Sequence, residues 1–221
     1  MLLSGKDGLK SQNYSIILIL FVFYFSFFTG CSAPEEIVIA PETDQEIIPL
    51  ALGNTWVYEV EYYSADTLTS TGNSTIQIDT MITIDGVDWY SETTGSERGQ
   101  YYRNTALGYE HIQLPAPRNG NENRVAAIYY KYPATAGEIW FDWNNRTSKV
   151  ISSSEDVEVK AGIFKGCVHY RSFEYWREAD YRLVYDDWIK PGVGIVKSRS
   201  EGNLSGDISY LERQLTEYNI E

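Results

Sequence analysis

The sequence has little of the chemistry that most enzymes and nucleic-acid binders use. It holds 2 His, 2 Cys and 2 Met among 221 residues, and 18 Lys and Arg against 31 Asp and Glu. The formal net charge of −13 excludes a basic surface that could neutralise a row of phosphates, so nucleic acid is excluded as a partner. No nucleotide-binding, metalloprotease or serine-nucleophile motif is present, and no His and Cys spacing fits zinc. The residues therefore indicate no cofactor and no metal.

What the chain does contain favours β-structure. Hydrophobic residues make up 43% and charged residues 22%, which is ordinary for a globular protein. Aromatic residues reach 14%, with 18 Tyr and 6 Trp. Large aromatic side chains fit the pleated, half-buried surface of a sheet. The composition predicts a β-rich domain.

The first 30 residues read as a targeting segment rather than as part of the fold. Lys6 and Lys10 form a positive start, and residues 16–28 form an apolar run. This run is too short for a comfortable membrane span and has the length of a signal-peptide core. We predict that residues 1–30 are a signal peptide.

The end of this run, Phe28-Thr29-Gly30-Cys31, resembles the lipobox of bacterial lipoproteins. The resemblance implies cleavage before Cys31, lipidation of this residue with fatty acids such as palmitate, and anchoring in a membrane. Ser32 at the next position implies the outer membrane, and it leaves open whether the protein faces the periplasm or the cell surface. Two or three acyl chains anchor a protein stably.

Three segments are predicted along the chain. The signal peptide 1–30 is followed by a polar tether, 31–46, and by a single β domain, 47–221. Cys167 is the only other cysteine, so the mature chain has no internal disulfide if Cys31 is lipidated. The hydrophobic core must then supply the stability of the domain.

Alternation of apolar and polar residues predicts ten or eleven strands. It is clearest over residues 75–84, where four isoleucines and Thr80 occupy alternate positions. Asp85 and Gly86 follow, a pair typical of a tight hairpin. For residues 208–218 we predict a strand, with a helix as the alternative. Short connections between the strands favour an antiparallel meander.

One internal repeat stands out. Pro49, Gly53 and Trp56 recur as Pro133, Gly137 and Trp140 with the same spacing. We interpret each copy as a bend that leads into a strand whose Trp faces the core, and we predict that both Trp side chains are buried.

Three ordered motifs resemble those of a broad group of β-rich bacterial lipoproteins and secreted domains. They are PLALGNTWVY at 49–58, VKAGIFKGC at 159–167 and WIKPGVGIVK at 188–197. The resemblance implies an all-β fold: a strongly curved antiparallel sheet, an open half-barrel similar to lipoprotein carriers and receptors, with a closed lipocalin-like barrel as the alternative. It implies no catalytic residues.

Candidate reactive groups are few. Cys167 and His169 would share one face of a strand, with Lys165 and Arg171 beside them, but neither a residue to orient the histidine nor a second metal ligand is identifiable. We predict that Cys167 is structural, partly shielded by long side chains rather than deeply buried. Asp186 and Asp187 are neighbours, so they should point to opposite faces of a strand and not act together.

The aromatic residues of the second half are the remaining candidates for function. Most of them should form core, but a concave aromatic surface could bind a ligand. The candidate binding residues are Trp140, Trp143, Trp176 and Trp188.

The leading hypothesis is a lipid-anchored, non-catalytic envelope domain that binds a hydrophobic, glycan or protein ligand on the concave face of its sheet. The alternatives are an outward-facing carbohydrate-binding lipoprotein and an enzyme of unknown class. Two exposed coplanar Trp would favour sugar, and a buried cluster of carboxylates with His would favour an enzyme.

Overall fold

The computed structural model describes residues 46–93, 99–114, 126–141, 146–176, 181–203 and 208–221, and only the backbone of residues 175, 176, 181, 182, 203 and 208. These residues lie in one compact unit, Thr43–Glu221, whereas a second unit, Met1–Glu42, lies outside the described part. The signal peptide, the lipidation of Cys31 and the tether therefore stay predictions.

The described residues form one antiparallel sheet of twelve strands. Its order is β6-β5-β4-β3-β2-β1-β12-β11-β10-β9-β8-β7. The all-β prediction is confirmed, and so is the strand at the end of the chain, which the sequence left open against a helix. The strands are β1 Thr55–Ser64, β2 Thr67–Ile84, β3 Val87–Glu92, β4 Gln100–Thr105, β5 Gly108–Gln113, β6 Ala127–Lys131, β7 Ile139–Phe141, β8 Arg146–Val159, β9 Gly162–Trp176, β10 Tyr181–Lys190, β11 Gly194–Asn203 and β12 Ile208–Asn219.

The first and last strands meet in the middle of the sheet, so its two edges are β6 and β7. Side chains link these edges although the described residues of the two strands form no ladder. The Trp140 indole in β7 donates a 2.9 Å hydrogen bond to the Ile128 carbonyl in β6, and the Tyr170 hydroxyl donates to the Lys131 carbonyl at 2.6 Å. The sheet is thus strongly curved and open. The half-barrel is the observed arrangement, and the closed barrel is not.

The core lies on the face where these edge contacts are made. In β1, Trp56, Tyr58 and Val60 are buried and alternate with less buried neighbours, as the two-residue period of a strand requires. Burying an aliphatic or aromatic side chain contributes about 1.5–3 kcal/mol relative to leaving it exposed. The fully buried apolar side chains of this core are Ile47, Ile78, Val150, Tyr170, Ile189, Val196 and Leu215.

The two copies of the repeat adopt the same backbone conformation. Gly53 and Gly137 have φ angles of 97° and 91°, a region that favours glycine. The Gly53 amide donates to Ile78 and the Gly137 amide donates to Val150, each at 2.8 Å.

The tryptophan that follows is the second residue of its strand in both copies. Trp56 is 3% exposed and Trp140 is 8% exposed. The predicted repeat is confirmed: each glycine opens a bend that delivers a tryptophan to the core.

The predicted hairpin at Asp85 and Gly86 is also confirmed. β2 and β3 pair up to Ile84 and Val87, which leaves two residues in the turn. Their φ angles are 52° and 79°, which matches the turn type that Asp-Gly favours.

The β8–β9 hairpin folds back over the outer face of the sheet. Three register shifts interrupt its ladder, and such bulges bend a strand pair. At its tip, Lys160 forms an ion pair with Glu59 of β1, and the Ala161 amide donates to the Leu215 carbonyl of β12 at 2.9 Å. Glu59 lies between buried Tyr58 and Val60, so the tip packs on the face opposite to the core. We call residues 155–167 the arm.

Candidate binding site on the concave wall

A row of partly exposed side chains crosses the inner face of four strands. Tyr62 is paired with Leu211, Leu211 with Ser200, and Ser200 with Tyr185. Residues directly opposite each other in a sheet share a face. Leu183, two positions before Tyr185, lies on the same face. We call Tyr62, Leu183, Tyr185 and Leu211 the concave wall. Tyr62 is 45% exposed, and the other three are half-buried.

A buried polar row lies two residues further along the same strands, about 7 Å away. Val60 is paired with Arg213, Arg213 with Ser198, and Ser198 with Asp187. Ser198 and Asp187 are buried, and Arg213 Nε donates to Ser198 Oγ at 3.0 Å. We call Arg213, Ser198 and Asp187, together with Arg146, the polar floor. An apolar wall thus stands next to buried charges.

A hydrogen bond from edge strand β6 holds the Asp187 carboxyl group. The Tyr130 hydroxyl of edge strand β6 donates to its Oδ2 at 2.8 Å, which places Asp187 on the concave face. Burial raises the pKa of Asp187, while Arg146, Tyr130 and Arg213 oppose this rise without cancelling it. Strand β6 has a bulge next to Tyr130. Tyr109 pairs with Tyr130 and Glu110 pairs with Ile128, so Tyr129 is an extra residue in β6.

Arg146, the first residue of β8, is the buried cation of the floor. Its Nη2 donates to Ser172 Oγ at 2.9 Å, and its guanidinium carbon lies 3.8 Å from the centre of the Tyr129 ring and 5.6 Å from that of Tyr185. Burial lowers the pKa of Arg146, but Tyr129, Tyr130 and Asp187 outweigh it and raise the pKa. The residue therefore stays cationic beside Tyr185 of the wall.

One buried hydroxyl near the floor lacks a partner. The Tyr109 ring is 2% exposed and lies 6.1 Å from the Tyr130 ring. Its hydroxyl makes no hydrogen bond to any described residue. Leaving a buried polar group unpaired costs about 1–3 kcal/mol, so a polar ligand atom that reached this hydroxyl would recover that cost.

A second polar cluster lies on the outer face. His169 Nε2 is 2.7 Å from Asp186 Oδ1, its Nδ1 is 3.4 Å from Glu155 Oε1, and its ring stacks on Trp188 at 4.2 Å. We call these four residues the histidine cluster. Both ring nitrogens face carboxylates and Trp188 covers the ring, so the imidazole is held in a fixed orientation.

The structure places two of the four candidate tryptophans, and these two lie on opposite faces of the sheet. Trp140 contacts the Tyr170 ring at 6.0 Å, on the concave face. Trp188 stacks on His169, the neighbour of Tyr170, and therefore lies on the outer face. Trp143 lies outside the described residues, and only the backbone of Trp176 is described.

Cys167 is more deeply buried than the sequence predicted. It is 0% exposed, and its Sγ lies 3.4 Å from the Phe164 carbonyl. Burial raises the pKa of its thiol to about 11. The expectation of partial shielding was wrong because Cys167 lies at the base of the arm, opposite Glu155, where the arm folds onto the sheet.

Two further features concern the described part of the chain only. No group of three or more His, Cys, Asp or Glu residues there could hold a metal ion. No helix among these residues is long and apolar enough to cross a membrane.

Comparison with known proteins gives two structural neighbours. One is a crystal structure from Bacteroides fragilis NCTC 9343, described as an exported protein with a YMCC-like fold, with 16% identity and a TM-score of 0.37. The other, from Parabacteroides distasonis ATCC 8503, is described as a lipoprotein and has 15% identity and a TM-score of 0.34. Each match covers 79% of this chain and 99% of the neighbour. No family model and no curated protein matches.

Proposed function

We propose that this chain is a lipid-anchored protein of the cell envelope, in the outer membrane, that binds a hydrophobic ligand or partner on its concave wall and catalyses no reaction. The wall is the observation that carries this proposal. The same face forms a closed core at one end of the strands, and at the other end it leaves Tyr62 45% exposed. An apolar ligand laid on the wall would extend the core and remove this surface from water.

The floor adds a preference for a ligand with one polar end. Arg146 lies beside Tyr185, and the Tyr109 hydroxyl lies near Tyr130 without a hydrogen-bond partner in the described residues. An apolar body on the wall and an acidic or hydroxyl group directed at the floor would be complementary to both features.

Photo-crosslinking in intact cells tests the wall directly. Benzoylphenylalanine replaces Leu211 on the wall, and in a matched control it replaces Tyr63, which follows Tyr62 in β1 and points to the opposite face. We expect mass spectrometry to find a small apolar molecule attached at position 211 and not at position 63. Equal adducts at both positions, or none at 211, would count against the wall as the binding site.

The membrane anchor rests on the sequence Phe28-Thr29-Gly30-Cys31 and on Ser32. With a net charge of −13, the protein is repelled by anionic head groups, so acyl chains must hold it to the membrane. Mass spectrometry of separated membranes should find acylated Cys31 as the first residue in the outer membrane, and Cys31→Ser should abolish acylation. An unmodified N-terminus or a soluble wild-type chain would contradict the anchor.

The carbohydrate-binding and enzyme alternatives rest on weaker ground. Stacking on sugar needs exposed coplanar rings, and Trp140 and Trp188 lie on opposite faces. The specific observation for an enzyme is the histidine cluster, in which His169 lies between Asp186 and Glu155. Replacing His169 by Gln tests it: a role in catalysis predicts loss of an envelope phenotype at unchanged thermal stability.

A further inference from the structure

Strand β2 has a long stretch whose second edge is unpaired in the described part of the chain. β1 pairs with β2 from Thr67 to Gln77. On the other side, the β3 ladder begins only at Ile78, and the Thr93 amide reaches Gln77. The backbone groups of residues 67–76 that point away from β1 therefore have no strand partner among the described residues.

This edge has only one of the usual protections against pairing, a single bulge. Residues 67–73 are exposed whichever face they point to, and the stretch TLTSTGNSTI contains neither a charged residue nor a proline. Proteins normally guard free edges with charges, proline or bulges, because an open edge is a template for another strand. One bulge, at Thr69, interrupts the pairing with β1, and the rest of the edge is regular.

We propose that this edge pairs with the same edge of a second copy of the chain, antiparallel and across a two-fold axis. Such an interface needs a self-complementary surface. In a register centred on Thr71, Thr71 faces its own copy, Thr69 faces Asn73, and Thr67 faces Thr75. Cross-strand threonine pairs hydrogen-bond and stabilise a sheet.

Charge directs a second copy to this edge rather than to another part of the surface. The chain carries a net charge of −13, so two copies repel each other over most of their surfaces. The edge at residues 67–76 is an uncharged strip where two copies can approach. Tyr62 of the concave wall is paired with Ser70, so the walls of the two copies would adjoin in one continuous sheet. The pairing itself does not depend on the proposed ligand.

Charge substitution at the centre tests the pairing with the full-length protein in non-ionic detergent. Sedimentation equilibrium should give the mass of two chains for the wild type. Thr71→Lys and Thr71→Glu should each give one chain, because like charges then face each other at the axis, and an equal mixture of the two variants should regain the two-chain mass. The control is Met81→Lys, which lies outside residues 67–76, in the part of β2 that pairs with β3, and which should remain at two chains.

Disulfide formation provides a second measurement. Thr71→Cys should form an intermolecular disulfide on mild oxidation, because facing residues in a sheet have Cβ atoms about 4.5–5.5 Å apart. Leu107→Cys, which is 64% exposed in the β4–β5 turn, is the matched control and should stay largely unlinked, as should the wild type. Unchanged thermal unfolding of each variant would show that the fold is intact.

Three results would overturn the proposal: a one-chain mass for the wild type at every concentration, a two-chain mass for Thr71→Lys, or equal cross-linking at positions 71 and 107. Association of the wild type with a different protein through this edge, without self-association, would likewise refute the second copy as the occupant.

Discussion

Asp186 and Asp187 are neighbours on β10, and their carboxylates lie on opposite faces of the sheet. Asp186 accepts hydrogen bonds on the outer face from His169 at 2.7 Å and from Arg171 at 2.8 Å. Asp187 accepts one on the concave face from Tyr130. As the sequence predicted, the pair cannot act on one proton or one ion. The pKa values of the two carboxyl groups instead shift in opposite directions. Burial raises the pKa of Asp187. At Asp186 burial also raises the pKa, but the hydrogen bonds together outweigh it and lower the pKa.

For Asp187, the raised pKa predicts a loss of stability as pH rises. The folded state favours the protonated carboxyl, so its contribution is present below the unfolded pKa of about 3.9 and is lost as pH rises through the folded pKa. Asp187→Asn keeps a hydrogen-bond acceptor for Tyr130 and does not titrate. Urea unfolding from about pH 3 to about pH 7 should show the variant gaining stability relative to wild type. A constant difference would contradict the raised pKa.

For Asp186, the pH dependence of its contribution to stability has the opposite sign. Burial raises its pKa, but the hydrogen bonds from His169 and Arg171 lower it by more, and the net shift is downward. Its contribution is present above the unfolded pKa of about 3.9 and is lost as pH falls through the lower folded value. Asp186→Asn should therefore cost about 1–3 kcal/mol near neutral pH and progressively less in acid. A loss that persisted undiminished in acid would show that packing, not charge, is responsible.

The β2–β3 turn offers a test of backbone conformation. Gly86 has a φ of 79°, and a valine there should destabilise the fold by about 1–2 kcal/mol because a β-branched residue resists positive φ. Gly72→Val is the matched control: Gly72 lies within a strand, and an added Cβ would meet no atom within 4 Å. Chemical denaturation should show a loss for the first variant only. Equal midpoints for the two would contradict the turn.

The strand pattern could be predicted from the sequence because alternation and turn residues are local. Alternating isoleucines, with Thr80 among them, marked the second half of β2, and Asp85 with Gly86 marked its end. The arm could not be predicted, because three register shifts within one hairpin leave no pattern in the residues. Cys167 was consequently expected near the surface, whereas the folded-back arm buries it.

The candidate site was missed for a different reason. Tyr62, Tyr185 and Leu211 lie in strands whose alternation marks them as core. They are partly exposed because the shorter strands of the sheet do not extend over them. β3 to β6 have five or six residues each, whereas β1 and β8 to β12 have ten or more. The part of a long strand that stays exposed on the concave face depends on the lengths of the other strands and on the curvature of the sheet. The sequence instead indicated Trp140 as a binding residue, but Trp140 links the two edges of the sheet.

The last prediction concerns the reactivity of Cys167. Only the thiolate attacks an alkylating agent, and burial raises the pKa of this thiol to about 11, above the value of about 8.5 for a free cysteine. Near neutral pH the thiolate fraction is then about 300-fold smaller than in a free cysteine. Peptide mass spectrometry after iodoacetamide treatment should find Cys167 largely unmodified in the folded protein and fully modified after denaturation. Cys167→Ser should leave envelope phenotypes unchanged, since the residue fills space beneath the arm. Rapid alkylation of the folded protein would require a depressed pKa, and it would make Cys167 a reactive residue beside the histidine cluster.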